Sequence, residues 1–226
     1  MDVYYCFYDK KKEQKEKIAH QIGYGLLFYG LKKRYGIEQV PKIEKGKYGK
    51  PYLYDYPQIY FNISHCNGAA VCIIAEYEIG IDIEGKRRVT QALVQKALTE
   101  REKKDFSCYQ AEDVEMGFLQ YWTLKESFIK AIGRGLSFPL CEVEFYLKQD
   151  QRFLQFLQLS KKQKPFYFQK QIHLIASNQK KWQFLQTVLG ERYLLSICFP
   201  NQEGIYTTCK LQEVKSSNFF NRENTI

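Results

Sequence analysis

Residues Ile59–Glu84 read IYFNISHCNGAAVCIIAEYEIGIDIE, and this stretch decides the class of fold. Three β-rich runs, Ile59–His65, Ala70–Ala75 and Ile79–Glu84, are set apart by the short polar links Cys66-Asn67-Gly68 and Glu76–Glu78. They read as consecutive strands. In the last of them, Gly80-Ile81-Asp82-Ile83-Glu84, a strand turns Ile81 and Ile83 to one face and Asp82 and Glu84 to the other. Two carboxylates ~7 Å apart on one face repel each other unless something positive lies between them. A hard divalent cation suits that position, because magnesium takes oxygen ligands and is commonly held by one or two carboxylates together with phosphate oxygens. A strand with one solvated polar face produces the same short motif.

Outward from this stretch, both flanks are mixed. Val3–Tyr8 reads as a strand, and Ile18, Ile22, Leu26 and Tyr29 recur at helical spacing, so a helix is predicted over about 13–34, stopped by Gly36. Lys42–Pro51 is rich in Gly and Lys and reads as a loop. Thr99-x-x-Glu102 is a capping-box pattern that starts a helix near residue 100. A longer helix is predicted over Val114–Ile132, ending at Gly133. Beyond it Glu142–Leu147, Phe166–Gln169 and Ile172–Ala176 read as strands, and Trp182–Leu189 with Tyr193–Phe199 as a hairpin over Gly190-Glu191. The tail after Val214 is polar and reads as frayed. The class is α+β.

The long helix strengthens the case for a charged site. Glu126 falls on the same side as Leu119, Trp122 and Ile129, and burying an unpaired carboxylate costs several kcal/mol. A helical ion pair with Lys130, one turn on, contributes only ~0.2–0.5 kcal/mol and does not offset that cost. A site shared with Asp82 and Glu84 does.

Composition bounds the rest. The net charge of +9 favours polyanionic partners: nucleic acid, a phosphorylated cofactor or an acidic protein. The longest small-and-apolar run, Ala69–Ala75, is too short to span a bilayer, and Val3–Tyr8 runs into Lys10–Lys12 without a cleavage pattern, so a cytoplasmic protein is expected. Seven scattered cysteines, none in a C-x-x-C pair, suggest neither disulfides nor zinc. Ser64, His65 and Tyr48-Gly49-Lys50-Pro51 offer what phosphate recognition needs: donors, a point charge and backbone exposed at glycine.

Read together, Tyr48-Gly49-Lys50-Pro51, Phe61–His65, Gly80–Glu84, Trp122–Lys130 and Gly133-x-Gly135-Leu136 occur in an order and spacing that resembles the 4′-phosphopantetheinyl transferases of the surfactin-synthetase-activating type. The resemblance implies two similar α+β halves related by a pseudo-twofold axis, taken as residues 1–105 and 106–226, with the active site in the cleft between them. It implies magnesium held by Asp82, Glu84 and Glu126. Coenzyme A would be held by Tyr48, Gly49, Lys50 and Pro51 around the adenine and phosphates, by Ser64 and His65 at phosphate oxygens, and by Lys130 at the pyrophosphate. The implied reaction moves the phosphopantetheine arm to a serine of an acyl or peptidyl carrier protein, with Asp82, Glu126 and Lys130 as its catalytic residues. A monomer that binds neither nucleic acid nor membrane is implied as well. Glu126 is a candidate general base as well as a metal ligand.

Two rival classes fit parts of the pattern. Asp82 with Glu84-Gly85-Lys86 matches the D…E-x-K site of magnesium-dependent nucleases, and 34 aromatic Tyr and Phe side chains suit a nucleic-acid binder. Neither accounts for Lys50-Pro51, Ser64-His65 and the Trp122–Lys130 helix at once. One departure from the resemblance stands out in Ala19-His20-Gln21-Ile22-Gly23: Gln21 occupies the place of an expected arginine that would face the 3′-phosphate of coenzyme A. Only modest preference for the 3′-phosphorylated cofactor is therefore expected, with His65 supplying most of it.

Overall fold

Strand pairing joins the Ile59–Glu84 stretch to both ends of the chain. The computed structural model describes residues 1–9, 15–107, 114–135, 138–147, 172–174, 182–190, 192–201 and 209–219. In chain order the elements are β1 (Asp2–Phe7), α1 (Lys15–Tyr35), β2 (Ile43–Lys45), β3 (Pro51–Leu53), β4 (Tyr60–Cys66), β5 (Ala69–Ala75) and β6 (Gly80–Gly85). There follow α2 (Gln91–Ala97), α3 (Glu100–Phe106), α4 (Val114–Ile132), β7 (Phe145–Leu147), β8 (Ile172–Leu174), β9 (Trp182–Leu189), β10 (Tyr193–Pro200) and β11 (Lys210–Glu213). The α+β class read from the sequence is the one found.

Two sheets share one path. In the first, the order is β11-β1-β5-β4, with α1 packed on β1, β4 and β5. In the second, the order is β6-β10-β9, with α4 packed on β6 and β10. Each runs strand, long helix, then a hairpin whose second strand takes the centre, antiparallel to both neighbours. β11 adds to β1 in parallel. The division expected at 105/106 falls at the end of α3, and each sheet uses strands from both sides of it.

The sheets meet at β4 and β6, and side chains replace a backbone ladder there. Asn62 Oδ1 accepts from the Ile81 N–H at 2.9 Å, and Ser64 Oγ accepts from the Ile83 N–H at 3.3 Å. Edge N–H groups that would otherwise be buried unpaired are thus satisfied. Ile81 and Ile83 turn into an apolar core with Val71, Ile73 and Ile197, which leaves Asp82 and Glu84 on the opposite face, as the alternation requires. α4 lies close against that strand because residue 80 is glycine: a Cβ there would sit 2.0 Å from the Ser127 carbonyl oxygen.

Several local readings are corrected. Lys42–Pro51 is not loop throughout, since Ile43–Lys45 pairs with Pro51–Leu53 across a turn with Gly49 at φ +82°. The strand read from Glu142 begins at Phe145, after a 3-10 turn at Leu140–Glu142. The α2 helix, capped by Thr90, was not anticipated. The chain past Val214 is held as far as Phe219, whose ring packs against Gly25 of α1. The strand read at Phe166–Gln169 lies outside the described residues, as does Leu136.

Candidate active site

β6 and α4 bring the predicted acids together. Asp82 is 5% exposed and Glu126 6% exposed, and both line one cavity of about 430 Å³ with Glu84, Lys130, Trp122 and Ile129. Lys130 does not turn back to Glu126. Its ammonium donates to Asp82 Oδ1 at 2.6 Å and to Ser64 Oγ at 2.9 Å, and Ser64 in turn donates to Asp82 Oδ1 at 2.8 Å.

The cluster is short of positive charge. Asp82 Oδ2 is buried with no hydrogen-bond partner. Burial pushes the Glu84 carboxyl up to about 7, helped by the charge of Asp82 and opposed by Arg87 and Lys130. Burial and then Asp82 raise Glu126 in the same way. An orphaned carboxylate oxygen costs ~1–3 kcal/mol or more, so a cation among these three acids answers a deficit the protein itself creates. All the donors are hard oxygens, the set magnesium prefers. Among the described residues no three His, Cys, Asp or Glu side chains are already drawn into a metal-ligand cage. The donor chemistry of Asp82, Glu84 and Glu126 suits such an ion, with Lys130 holding one oxygen of Asp82 in this structure.

The other end of the cavity is lined by Tyr48, Gly49, Lys50, Pro51, Gly133 and Gly135. Lys50 is turned inward. Its ammonium donates to the carbonyls of Ala131 at 2.8 Å and Ile79 at 3.2 Å, which fastens the 48–51 turn to the end of α4 and the approach to β6. Burial lowers this lysine to about 8.

The predicted pair Ser64-His65 is divided. Successive residues of β4 face opposite ways, so Ser64 is buried against Asp82 while His65 is exposed, and neither lines the cavity. Among the described residues α1 contributes nothing to the lining, and Gln21 on it is exposed. Lys86, the lysine of the nuclease pattern, is likewise exposed and away from the lining.

Two residues near the acids escaped the sequence reading. Asn62 lines the cavity while bonding Ile81, and its signal was only its place two residues before Ser64. Arg87 lies over the Trp122 ring, 4.7 Å from its centroid, and 3.8 Å from Glu84 Oε1. Nothing in Lys86-Arg87-Arg88 distinguishes the middle residue before the fold is known.

Comparison with known proteins gives the family. The family model of the 4′-phosphopantetheinyl transferase superfamily matches residues 78–198, more than half the chain, and the chain belongs to that superfamily. It is similar to a 4′-phosphopantetheinyl transferase of Bacillus subtilis, 33% identical over 150 residues, which cover 62% of this chain and 66% of that one. It is also similar to the 4′-phosphopantetheinyl transferase Sfp of Bacillus subtilis (strain 168), 36% identical over 104 residues and 46% of each chain. The chain thus spans about half to two thirds of the length of these relatives. A solved holo-[acyl-carrier-protein] synthase of Thermotoga maritima aligns with a TM-score of 0.39 at 17% identity, over 56% of this chain and 64% of that one, too slight a likeness to carry an argument.

Proposed function

We propose that this protein transfers the 4′-phosphopantetheine arm of coenzyme A to a serine hydroxyl of an acyl or peptidyl carrier protein, releasing adenosine 3′,5′-bisphosphate. The observation that carries the reading is the meeting of Asp82, Glu84, Glu126 and Lys130 in one cavity with the Tyr48–Pro51 turn, in a chain of this superfamily. A volume of about 430 Å³ with one charged and one aromatic end suits an extended nucleotide cofactor.

In the reaction the serine oxygen forms a bond to the β-phosphorus of the pyrophosphate, and the bond from that phosphorus to the bridging oxygen breaks. A magnesium ion held by Asp82, Glu84 and Glu126 would supply charge neutralisation at the pyrophosphate. Lys130, fixed by Asp82 and Ser64, places an ammonium where the departing phosphate gathers charge and can donate a proton to it. Glu126, raised above the usual carboxylate range by burial, is suited to take the serine proton. Trp122 and Ile129 keep the site apolar beside these groups, which strengthens each electrostatic contact. Ser64 acts through Asp82 and Lys130, and Lys50 through the backbone it pins. The same reading takes the protein as a cytoplasmic monomer; among the described residues no helix is long and apolar enough to cross a membrane.

The test is direct. Incubated with coenzyme A, magnesium and an apo carrier protein, the protein should add the mass of the phosphopantetheine arm to the carrier serine. No mass gain on any of several acyl and peptidyl carriers would overturn the reading.

A further inference from the structure

Three cations, Lys86, Arg87 and Arg88, follow where β6 ends, and only the middle one is turned inward. Lys86 and Arg88 are exposed, whereas Arg87 is half-buried. Its guanidinium carbon lies 4.7 Å from the Trp122 ring centroid, and its Nη2 lies 3.8 Å from Glu84 Oε1. An indole face holds a cation more strongly than any other aromatic side chain, and stacking leaves the planar guanidinium free to donate along its edge.

That edge is not satisfied. Arg87 Nε and Nη2 are buried and have no hydrogen-bond partner. A buried charged donor left without an acceptor is costly, so an acceptor within reach will be taken up. Glu84 Oε1 stands about 1 Å beyond the ~2.7–2.9 Å of a charge-assisted hydrogen bond. Burial and Asp82 raise the Glu84 carboxyl, and Arg87 leads the groups that oppose them, ahead of Lys130 and the Trp122 indole N–H. At Glu126, which burial and Asp82 also raise, Lys130 and Arg87 are again the opposing charges.

The same arrangement is already complete two residues earlier on β6. Lys130 holds Asp82 Oδ1 at 2.6 Å and leaves Oδ2 without a partner. We propose that Arg87, carried on Trp122, is a positioning residue of the transfer site that takes one oxygen of Glu84 and leaves the other turned to the cavity. This assignment rests on the transferase reading above. Glu84 and Trp122 both line the cavity and Arg87 does not, so Arg87 acts through them rather than on the cofactor. Each acid of β6 then keeps one oxygen on a protein cation and offers the other to a divalent ion. Outer groups that fix a carboxylate in this way set how tightly it holds a metal.

Calorimetric titration of magnesium, with coenzyme A present, compares wild type, Arg87→Gln and Arg87→Lys, and transfer kinetics follow on the same proteins with an apo carrier protein. Arg87→Gln should weaken magnesium about tenfold and lower kcat, while KM for the carrier stays within about twofold. Arg87→Lys keeps the charge but not the planar stack, and should recover only part of the loss. Placed on Glu84→Gln, the Arg87→Gln change should alter kcat by less than about twofold, because the group it acts through is gone. Wild-type magnesium affinity in Arg87→Gln overturns the proposal, as does an equal loss of kcat with and without Glu84. A rise confined to the carrier KM also overturns it and makes Arg87 a docking residue. If wild type shows neither magnesium binding nor transfer, the transferase reading falls and the assignment with it.

Discussion

Lys125 and Lys130 lie five residues apart on α4, and each ends in an ion pair with a carboxylate from another element. The first pair is complete. Lys125 and Glu102 are 0% exposed and 2.5 Å apart, and the ammonium also donates to the carbonyls of Ala97 and Leu140. Glu102 in turn accepts from the Phe145 and Thr99 N–H groups, at 2.8 and 2.9 Å. Here α2, α3, α4 and the start of β7 are tied through one knot. The second pair is incomplete. Lys130 and Asp82 share a cavity wall, one Asp82 oxygen has no partner, and two further acids crowd it. A buried charge with every hydrogen bond made belongs to the scaffold. One left short of partners marks where a ligand enters.

That contrast can be broken at either pair. Lys125→Met leaves Glu102 buried without its cation and should destabilise the fold by about 3–5 kcal/mol in denaturant unfolding. Adding Glu102→Gln, which removes the stranded charge and keeps an acceptor for Phe145, should recover most of the loss. Equal stability of wild type and Lys125→Met would show that the first pair is not structural. At the second pair the signs reverse. Asp82→Asn relieves repulsion among three acids, so unfolding stability without magnesium should hold or rise, while kcat/KM for transfer falls by about 100-fold or more. A variant both unstable and active would place Asp82 in the scaffold.

The smallest effect is a pH dependence. The Glu84 carboxyl is raised from 4.5 to about 7 by burial first and Asp82 second, so the folded state holds its proton more tightly than the unfolded chain. Its contribution to stability is full below pH 4.5 and is lost as the pH rises through 7. Without divalent ions, stability should therefore decline over that window, and Glu84→Gln should flatten the decline. A wild-type curve already flat from pH 5 to 7.5 would contradict the crowding of charges described here.

Much of this was legible before the fold was known, and for identifiable reasons. Strand alternation is a local rule, so Ile81 and Ile83 could be separated from Asp82 and Glu84 on five residues alone. Glu126 could be assigned a distant partner because a helix pair with Lys130 is too weak to justify its burial. The same alternation, left unapplied to Ser64-His65, let neighbours in sequence pass for neighbours in space. Lys50 suits a phosphate contact by its type, and its ammonium is fixed by carbonyls 29 and 81 residues away, which no local pattern reports. Lys125 is next to Glu126 in the chain, but its partner Glu102 sits 23 residues earlier.

The claim that joins these observations is that Glu126 of α4 shares one cation with Asp82 and Glu84 of β6. Calorimetric titration of magnesium into the wild type with coenzyme A present, beside Glu126→Gln under the same conditions at pH 8, tests it without relying on turnover. The account predicts one magnesium site in the wild type and an affinity lower by about tenfold or more in the variant, with the fold unchanged by circular dichroism. Equal magnesium affinity in the two proteins would contradict it.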